Sequence, residues 1–459
     1  MSTSGISSVL TNINNAFSGK TSGIDVAATV SALMELQRAP EAQMQSQQAA
    51  VTTRISILGA LAGELSQLQS AANALKDSFG ALSQKTVTSS NPSIVTATAQ
   101  YSAPSGTHTI LVTQLATVSS SYSDPIADAS ILAGTSFQIA YGDPNNPTKI
   151  DNITLPDTIK TLQDAADAIN HAAENTGVSA SVIKDANGER LALVSNASGK
   201  DGNLTVTSAA PFHQGVEGKN ANLTIDGVPV ESASNTVSEA LPGVTLQLAN
   251  ADSNTKVQIG IAPDTTEAAK AINDFITAYN NAVKDINAQF SADSSGNAGP
   301  LAGDASLRTL QSQLLDIAGY APGGDGPYVN LQSLGIEMQN DGTLQMNSTV
   351  LEDVLTNHYT DFQNFFQSAS PDAYGQTIGK MLQQITDPVQ GTVASDISGQ
   401  KAEGANLTLQ INDFEDHMAA VEQQLTAEYS RLNVLLQQYP MQIQQINSQL
   451  SALNPNNKG

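Results

Sequence analysis

The stretch closest to reaction chemistry is Gly19-Lys20-Thr21, the closing half of a phosphate-binding loop. Such a loop wraps phosphate in backbone N–H groups and needs a glycine five positions before the Gly-Lys pair, after a strand. That position is Asn14, and no strand-like text precedes it, so the segment reads as flexible chain. The five histidines, His108, His171, His213, His358 and His417, stand apart, and none has a second ligand at metal spacing. No Gly-x-Ser-x-Gly elbow offers a nucleophile. Acid pairs such as Glu415-Asp416 fall on the polar face of a predicted helix, where solvation accounts for them. Asn-x-Thr triplets such as Asn222-Leu223-Thr224 are expected by chance in so Asn- and Thr-rich a chain. No catalytic, cofactor-binding or metal-ligating set is expected, and an enzyme is the least favoured class.

Composition narrows the partners. With 459 residues the length suggests roughly three domains. The formal charge of −24 repels phosphate, which disfavours nucleic acid and anionic membranes. Aromatics at 4 % and the absence of Trp disfavour a ring-lined pocket. Without cysteine there are no disulfides and no thiol chemistry. No apolar run approaches the ~18 residues of a membrane span, so no membrane insertion is expected. No basic segment followed by an apolar one marks a cleavable export signal.

The strongest pattern is structural. Ile411, Met418, Leu425, Leu432, Tyr439, Ile446 and Leu453 recur every seventh position. A second row, Phe414, Val421, Tyr429, Leu436, Ile443 and Leu450, completes a coiled-coil seam and changes side near Glu428. Pro440 should kink this helix at a cost of about 3 kcal/mol. Near the other end Leu58, Leu61, Leu65, Leu68, Ala72, Leu75, Phe79 and Leu82 alternate steps of three and four. The expectation is that these two seams pair and that the rest of the chain is inserted between them.

Met1 to Thr21 is Ser/Asn/Gly-rich and reads as mobile in the free protein. Asp25 should cap a short helix ended by Pro40, followed by a long helix to about Leu82. From Thr86 to about Ala262 the text is β-branched and alternating. One helix interrupts it, with Ile159, Leu162, Ala166, Ile169 and Ala173 on one face and Gly177 at its C′ position. Turns are expected at Asn187-Gly188 and at Asp226-Gly227 between short strands. Asp264 and Glu267 suggest a capping box. The helix after it carries Ile272, Ile276, Tyr279, Val283, Ile286 and Phe290. Next come a helix from Leu307 to Ile317, a Gly/Pro loop from Ala321 to Pro327 and a hairpin around Asp341-Gly342. A helix capped by Ser348 and running to Phe365 and a helix from Tyr374 to Ile385 follow. The fold class expected is α+β, multidomain and discontinuous, with a coiled-coil-like stalk from paired terminal regions and inserted β-rich heads. The domain boundaries expected are 1–45 with 430–459 as terminal legs, 46–85 with 263–429 as the stalk, 86–125 with 218–262 as an inner β head, and 126–217 as an outer α+β head.

Several ordered blocks resemble one family, the flagellar hook-associated protein 2 or filament cap family. Ser22-Gly23-Ile24-Asp25-Val26, then Leu33-Met34 and Pro40, is similar to its N-terminal signature. Thr224-Ile225-Asp226-Gly227, Ser234-Asn235-Thr236-Val237 and Pro242-Gly243-Val244-Thr245 resemble its central block. Phe275 to Asn280 resembles its Phe-x-x-x-Tyr-Asn helix. Leu301-Ala302-Gly303-Asp304-Ala305-Ser306-Leu307-Arg308, Leu334-Gly335-Ile336 and Asp341-Gly342-Thr343-Leu344 resemble further blocks. The likeness spans most of the chain and is weakest from Ser123 to Glu217. Pro440 departs from an uninterrupted terminal helix.

The resemblance implies a secreted structural protein, exported unfolded with an export chaperone through the flagellar type III apparatus. It implies a homo-oligomeric ring, a pentamer, at the distal filament tip, with legs that guide flagellin into place and prevent its loss. The same resemblance sets aside a hook–filament junction protein or a flagellin, which also pair their terminal helices. A different class, a surface adhesin binding host mucin or glycan through the β heads, has no residues that specify it.

Overall fold

A computed structural model describes the chain except for residues 1–6, 8–9, 12–13, 16–22, 176, 293–295, 323–327 and 454–459, and except for the side chains of 452–453. Gly19-Lys20-Thr21, the signature's Ser22, most of the Ala321–Pro327 loop and the Leu453 side chain lie outside the described residues. The chain divides into two compact units. One comprises Met1–Asn73, Asn273–Leu351 and Ser368–Gly459, and the other Ala74–Ile272 and Glu352–Gln367.

Helix α1 (Val26–Gln37) starts where the Asp25 carboxylate accepts the Ala28 N–H at 3.0 Å, satisfying one of the orphan donors of the first turn. Pro40 does not end α1, which stops at Gln37. It opens α2 (Ala39–Lys76) instead, where a missing N–H costs nothing. The long helix falls short of Leu82. It ends at Lys76, because Gly80 brings the backbone beside the Ala74 carbonyl, where a Cβ would collide. Phe79 is consequently 63 % exposed and lies edge-on to Tyr101, while Leu82 is buried in the 3-10 turn Ala81–Ser83.

The β text forms β1 (Lys85–Ser89), β2 (Val95–Ala99), β3 (Gly106–Gln114), β4 (Val118–Ser123), β5 (Ser136–Asp143) and β6 (Asn146–Thr154), then α3 (Leu162–His171). It continues as β7 (Val178–Asp185), β8 (Gly188–Ser198), β9 (Leu204–Thr207), β10 (Phe212–Val216), β11 (Ala221–Ile225), β12 (Val228–Ser232), β13 (Thr236–Leu241), β14 (Val244–Leu248) and β15 (Val257–Pro263). A five-stranded sheet, β1-β15-β3-β11-β12, and a three-stranded one, β13-β14-β2, share a core of Val95, Ile110, Val112, Leu223, Leu246 and Ile259. The alternation is strict where it matters: 221, 223 and 225 of β11 and 257, 259 and 261 of β15 point inward. A four-stranded sheet, β10-β4-β8-β7, a three-stranded one, β6-β5-β9, and α3 enclose a second core around Phe137, Ile139, Ile169, Leu191 and Leu193.

Local turn chemistry differs from expectation at two points. The β7–β8 hairpin forms, but Asp185 pairs with Gly188, so Ala186 and Asn187 make the turn and Asn187 keeps a negative φ. The Asp185 carboxylate accepts the Asn187 N–H, which favours this tighter alternative. Helix α3 is capped by a reciprocal Thr161–Asp164 box and ends at His171. Gly177 is therefore not its C′ residue; it lies against the Tyr141 ring, with no room for a Cβ.

Asp264 accepts the Thr266 and Glu267 N–H groups and starts α4 (Thr265–Phe290), followed by α5 (Ala305–Gly319) and the hairpin β16 (Ile336–Met338) with β17 (Leu344–Met346). The helix expected from Ser348 to Phe365 is two, α6 (Ser348–Asn357) and α7 (Tyr359–Gln367), parted at His358, with Asn347 rather than Ser348 at its cap. Then come α8 (Tyr374–Thr386) and α9 (Thr392–Leu453). Helix α9 starts well before Ile411 and runs through Pro440 unbroken, against the expected kinked end. The turns before Pro440 are largely exposed, so water can meet the carbonyl it leaves unbonded. Hydrogen bonds from Tyr279 Oη to the Leu314 carbonyl, from Tyr374 Oη to the Ile317 carbonyl and from Thr386 Oγ1 to Gln69 Oε1 tie α4, α5, α8 and α2 together.

Candidate assembly surface

The signature blocks converge in pairs. Gly23 has φ 150°, a state other residues rarely adopt, and a Cβ there would strike the Asn433 side chain. That close approach lets the Ile24 N–H donate to Asn433 Oδ1 at 2.8 Å, so the start of α1 is fixed to α9. Ile24 and Met34 are buried, Leu33 is half-buried and Pro40 is exposed.

Asp226 and Gly227 have φ 53° and 87°, the two positive values of a type I′ turn between β11 and β12. The Asp226 carboxylate accepts the Thr109 N–H at 2.7 Å and meets His108 Nδ1 at 2.7 Å. The Thr109 N–H first, and then His108, hold it below the usual carboxylate range. Asn280, of the Phe275–Asn280 block, exchanges two hydrogen bonds with the Leu344 backbone, and Asn287 Nδ2 donates to the Asp341 carbonyl. The Phe-x-x-x-Tyr-Asn helix and the Asp341-Gly342 hairpin are thus one assembly. Asp304 caps α5 through the Ser306 and Leu307 N–H groups, and nothing crowds Gly303. Sequence reading marked these blocks by likeness and missed the polar residues that join them, Asn433 and His108. Neither carries a local signal, because each bond crosses a long sequence interval.

The two expected seams do not face one another. Leu58, Leu61, Leu65, Leu68 and Leu75 are buried. Met418, however, packs with Val30 and Met34 of α1, flanked by Phe414, Val421, Leu425 and Tyr429. Helix α9 runs antiparallel to α1 and the start of α2, with Gln48 Nε2 bonded to Thr408 Oγ1 and Val51 beside Gly404. That register carries Leu65 beyond the start of α9, far from Leu425. The ends of the chain pair, but through α1.

Past Leu436 the seam has no cover among the described residues. Leu432 is half-buried, while Tyr439, Ile443, Ile446 and Leu450 are 66, 50, 54 and 58 % exposed. With Leu436 they form one stripe about 27 Å long at 1.5 Å per residue. Leu435 widens it. A groove of about 810 Å³ between α1 and α9, lined by Val26, Val30, Met34 and Arg38 and by Glu422, Thr426 and Ser430, leaves the helix pair open on one side. A contiguous apolar stripe of this size on a helix marks a surface that another protein covers. Among the described residues there is no acid or histidine cluster able to hold a metal ion, and no helix is long and apolar enough to cross a membrane.

Residues 218–440 match the family model of the flagellar hook-associated protein 2 C-terminus and 22–119 that of its N-terminus; 136–210 match the flagellin hook IN motif. The chain is 29 % identical to the B-type flagellar hook-associated protein 2 of Pseudomonas aeruginosa, over 90 % of this chain and 92 % of that one. It is 28 % identical to flagellar hook-associated protein 2 of Escherichia coli K12, over 95 % of each. Its fold is similar to the crystal structure of the flagellar cap protein FliD D1-D2-D3 domains from Escherichia coli, with a TM-score of 0.62, 27 % identity, and coverage of 75 % of this chain and 99 % of that one.

Proposed function

The chain belongs to the flagellar hook-associated protein 2 family, and from that premise we propose how it serves as a cap. It is a structural component of the extracellular flagellum, placed at the distal tip of the filament, and its family forms cap oligomers that sit on flagellin. The adhesin alternative finds no support in these likenesses.

The finer assignments are our own reading. Copies of the chain close into a ring, a pentamer, after export unfolded with a chaperone through the type III apparatus. The β-rich heads, 86–125 with 218–262 and 126–217, form the plate. The stalk is 46–85 with 263–429, and the legs are 1–45 with 430–459. The protein runs no catalytic step; its work is positioning. Gly23, Ile24 and Asp25 brace the leg against Asn433, and Asp226, Gly227 and Asp304 hold local geometry. Leu58 to Leu75 fill the stalk, and Met418, Val421 and Leu425 join it to the leg helix α1.

The observation that carries this reading is the uncovered stripe from Tyr439 through Ile443 and Ile446 to Leu450. It continues a buried seam without a change of helix, so it calls for a helical partner of the same kind. The packed terminal helices of a filament subunit have that chemistry. The mass of the purified full-length chain tests the ring. We expect a species of five copies at micromolar concentration. A chain that stays single at every concentration contradicts the reading, since one copy cannot encircle a growing tip.

A further inference from the structure

In the helical unit two pairs of acids meet carboxyl to carboxyl, each between segments distant in the chain. Glu64 on α2 meets Asp285 on α4, and Asp396 on α9 meets Asp304, the cap of α5. Glu64 Oε2 and Asp396 Oδ2 are closed off from solvent and have no hydrogen-bond partner, and Gln400 Oε1, one turn along α9 from Asp396, is in the same condition. Among the described residues the charged group that acts on Glu64 is Asp285. Asp396 faces Asp304, with Arg54 from α2 and the Gln400 amide as the groups that favour its charge. Two carboxylates in such contact repel, and the repulsion is relieved when one takes a proton that the other accepts.

We propose that the two pairs are proton-bridged clamps, so that the helical unit takes up protons at both as it folds and packs more tightly in mild acid than at neutral pH. The four groups join α2 to α4 and α5 to α9, so the clamps act on the packing of the bundle rather than on one helix. Burial first and Asp285 second push Glu64 from 4.5 up to about 7; burial and Asp304 push Asp396 from 3.8 up to about 6. Raised folded-state values fix the sign. The contribution is complete below the unfolded values and is lost as pH rises from 4.5 to about 7 at Glu64 and from 3.8 to about 6 at Asp396. This device is independent of the ring and of the leg stripe.

Thermal unfolding of the full chain, followed by its helical circular-dichroism signal between pH 8 and pH 5 with a chelator present, reads the clamps. The net charge of −24 also favours acid, so the comparison with variants decides. The wild-type midpoint should rise by several degrees as pH falls. E64Q/D396N, in which an amide replaces the bridging proton, should begin higher at pH 8 and change less. D285N, altering the exposed partner of Glu64, should flatten the profile in part and serves if the double variant does not fold. A pH slope as steep in the folded variants as in the wild type overturns the proposal.

Discussion

The backbone N–H of Ile24 donates to Oδ1 of Asn433 at 2.8 Å, joining residues 409 positions apart. The bond needs Gly23 at φ 150°, with Asn433 occupying the space of a Cβ. Gly23→Ala should therefore cost about 1–3 kcal/mol through backbone strain alone. Asn433→Ala, which leaves a part-buried N–H without its acceptor, should cost about 1–3 kcal/mol. Hydrogen exchange of the α1 amides checks both, with faster exchange expected from Ala28 to Met34 and none from β1 to β15.

Met418 is 2 % exposed and closes the small cluster with Val30 and Met34. Met418→Ala should lower the local stability of the leg by about 2–5 kcal/mol, since a cluster this small has little else to fill the cavity. The same exchange measurement should show α1 released from α9 while the Tyr279–Leu314 core remains protected.

Asp226 is one of three carboxylates in the β-rich stretch from β11 to β15, with Glu231 and Asp252, that are held below their ordinary values and contribute to its pH dependence at low pH. Its folded value lies below the ordinary carboxylate value, so its contribution is present above 3.8 and is lost as pH falls through the depressed value. Denaturant midpoints of the wild type should drop more steeply between pH 5 and pH 3 than those of Asp226→Asn. Equal slopes would remove this carboxylate from the account.

Pro440 sits inside α9 rather than at a break. Pro440→Ala restores a helical N–H and removes the ring's clash, worth about 3 kcal/mol locally. Amides from Leu436 to Ile446 should become better protected, and the helical circular-dichroism signal should not fall.

Much of this fold is legible because its signals are local. The Asp25 cap, the Asp226-Gly227 turn and the alternation of β11 and β15 depend on neighbours a few residues apart. Helix ends depend on tertiary space and were harder to read. Gly80 stops α2 beside Ala74, and Gly177 serves the Tyr141 ring instead of α3. The pairing of Leu58–Leu82 with Ile411–Leu453 failed for a different reason. Two matching seams declare that each needs a partner but not which one. The antiparallel register set by Ile24–Asn433 and Gln48–Thr408 gives the C-terminal seam to α1. The assembly stripe was readable as a heptad row, whereas its exposure was not, because periodicity is blind to whether a partner is present.

The most direct test of the cap's leg uses Tyr439→Asp, Ile443→Asp and Ile446→Asp together. All three side chains are at least half exposed, so the variant should fold with an unchanged thermal midpoint and oligomer mass. In a strain where it replaces the wild-type chain, flagellin released to the medium and filament length are measured. The account predicts flagellin lost to the medium and filaments short or absent. Filaments of normal length built under this variant would contradict it.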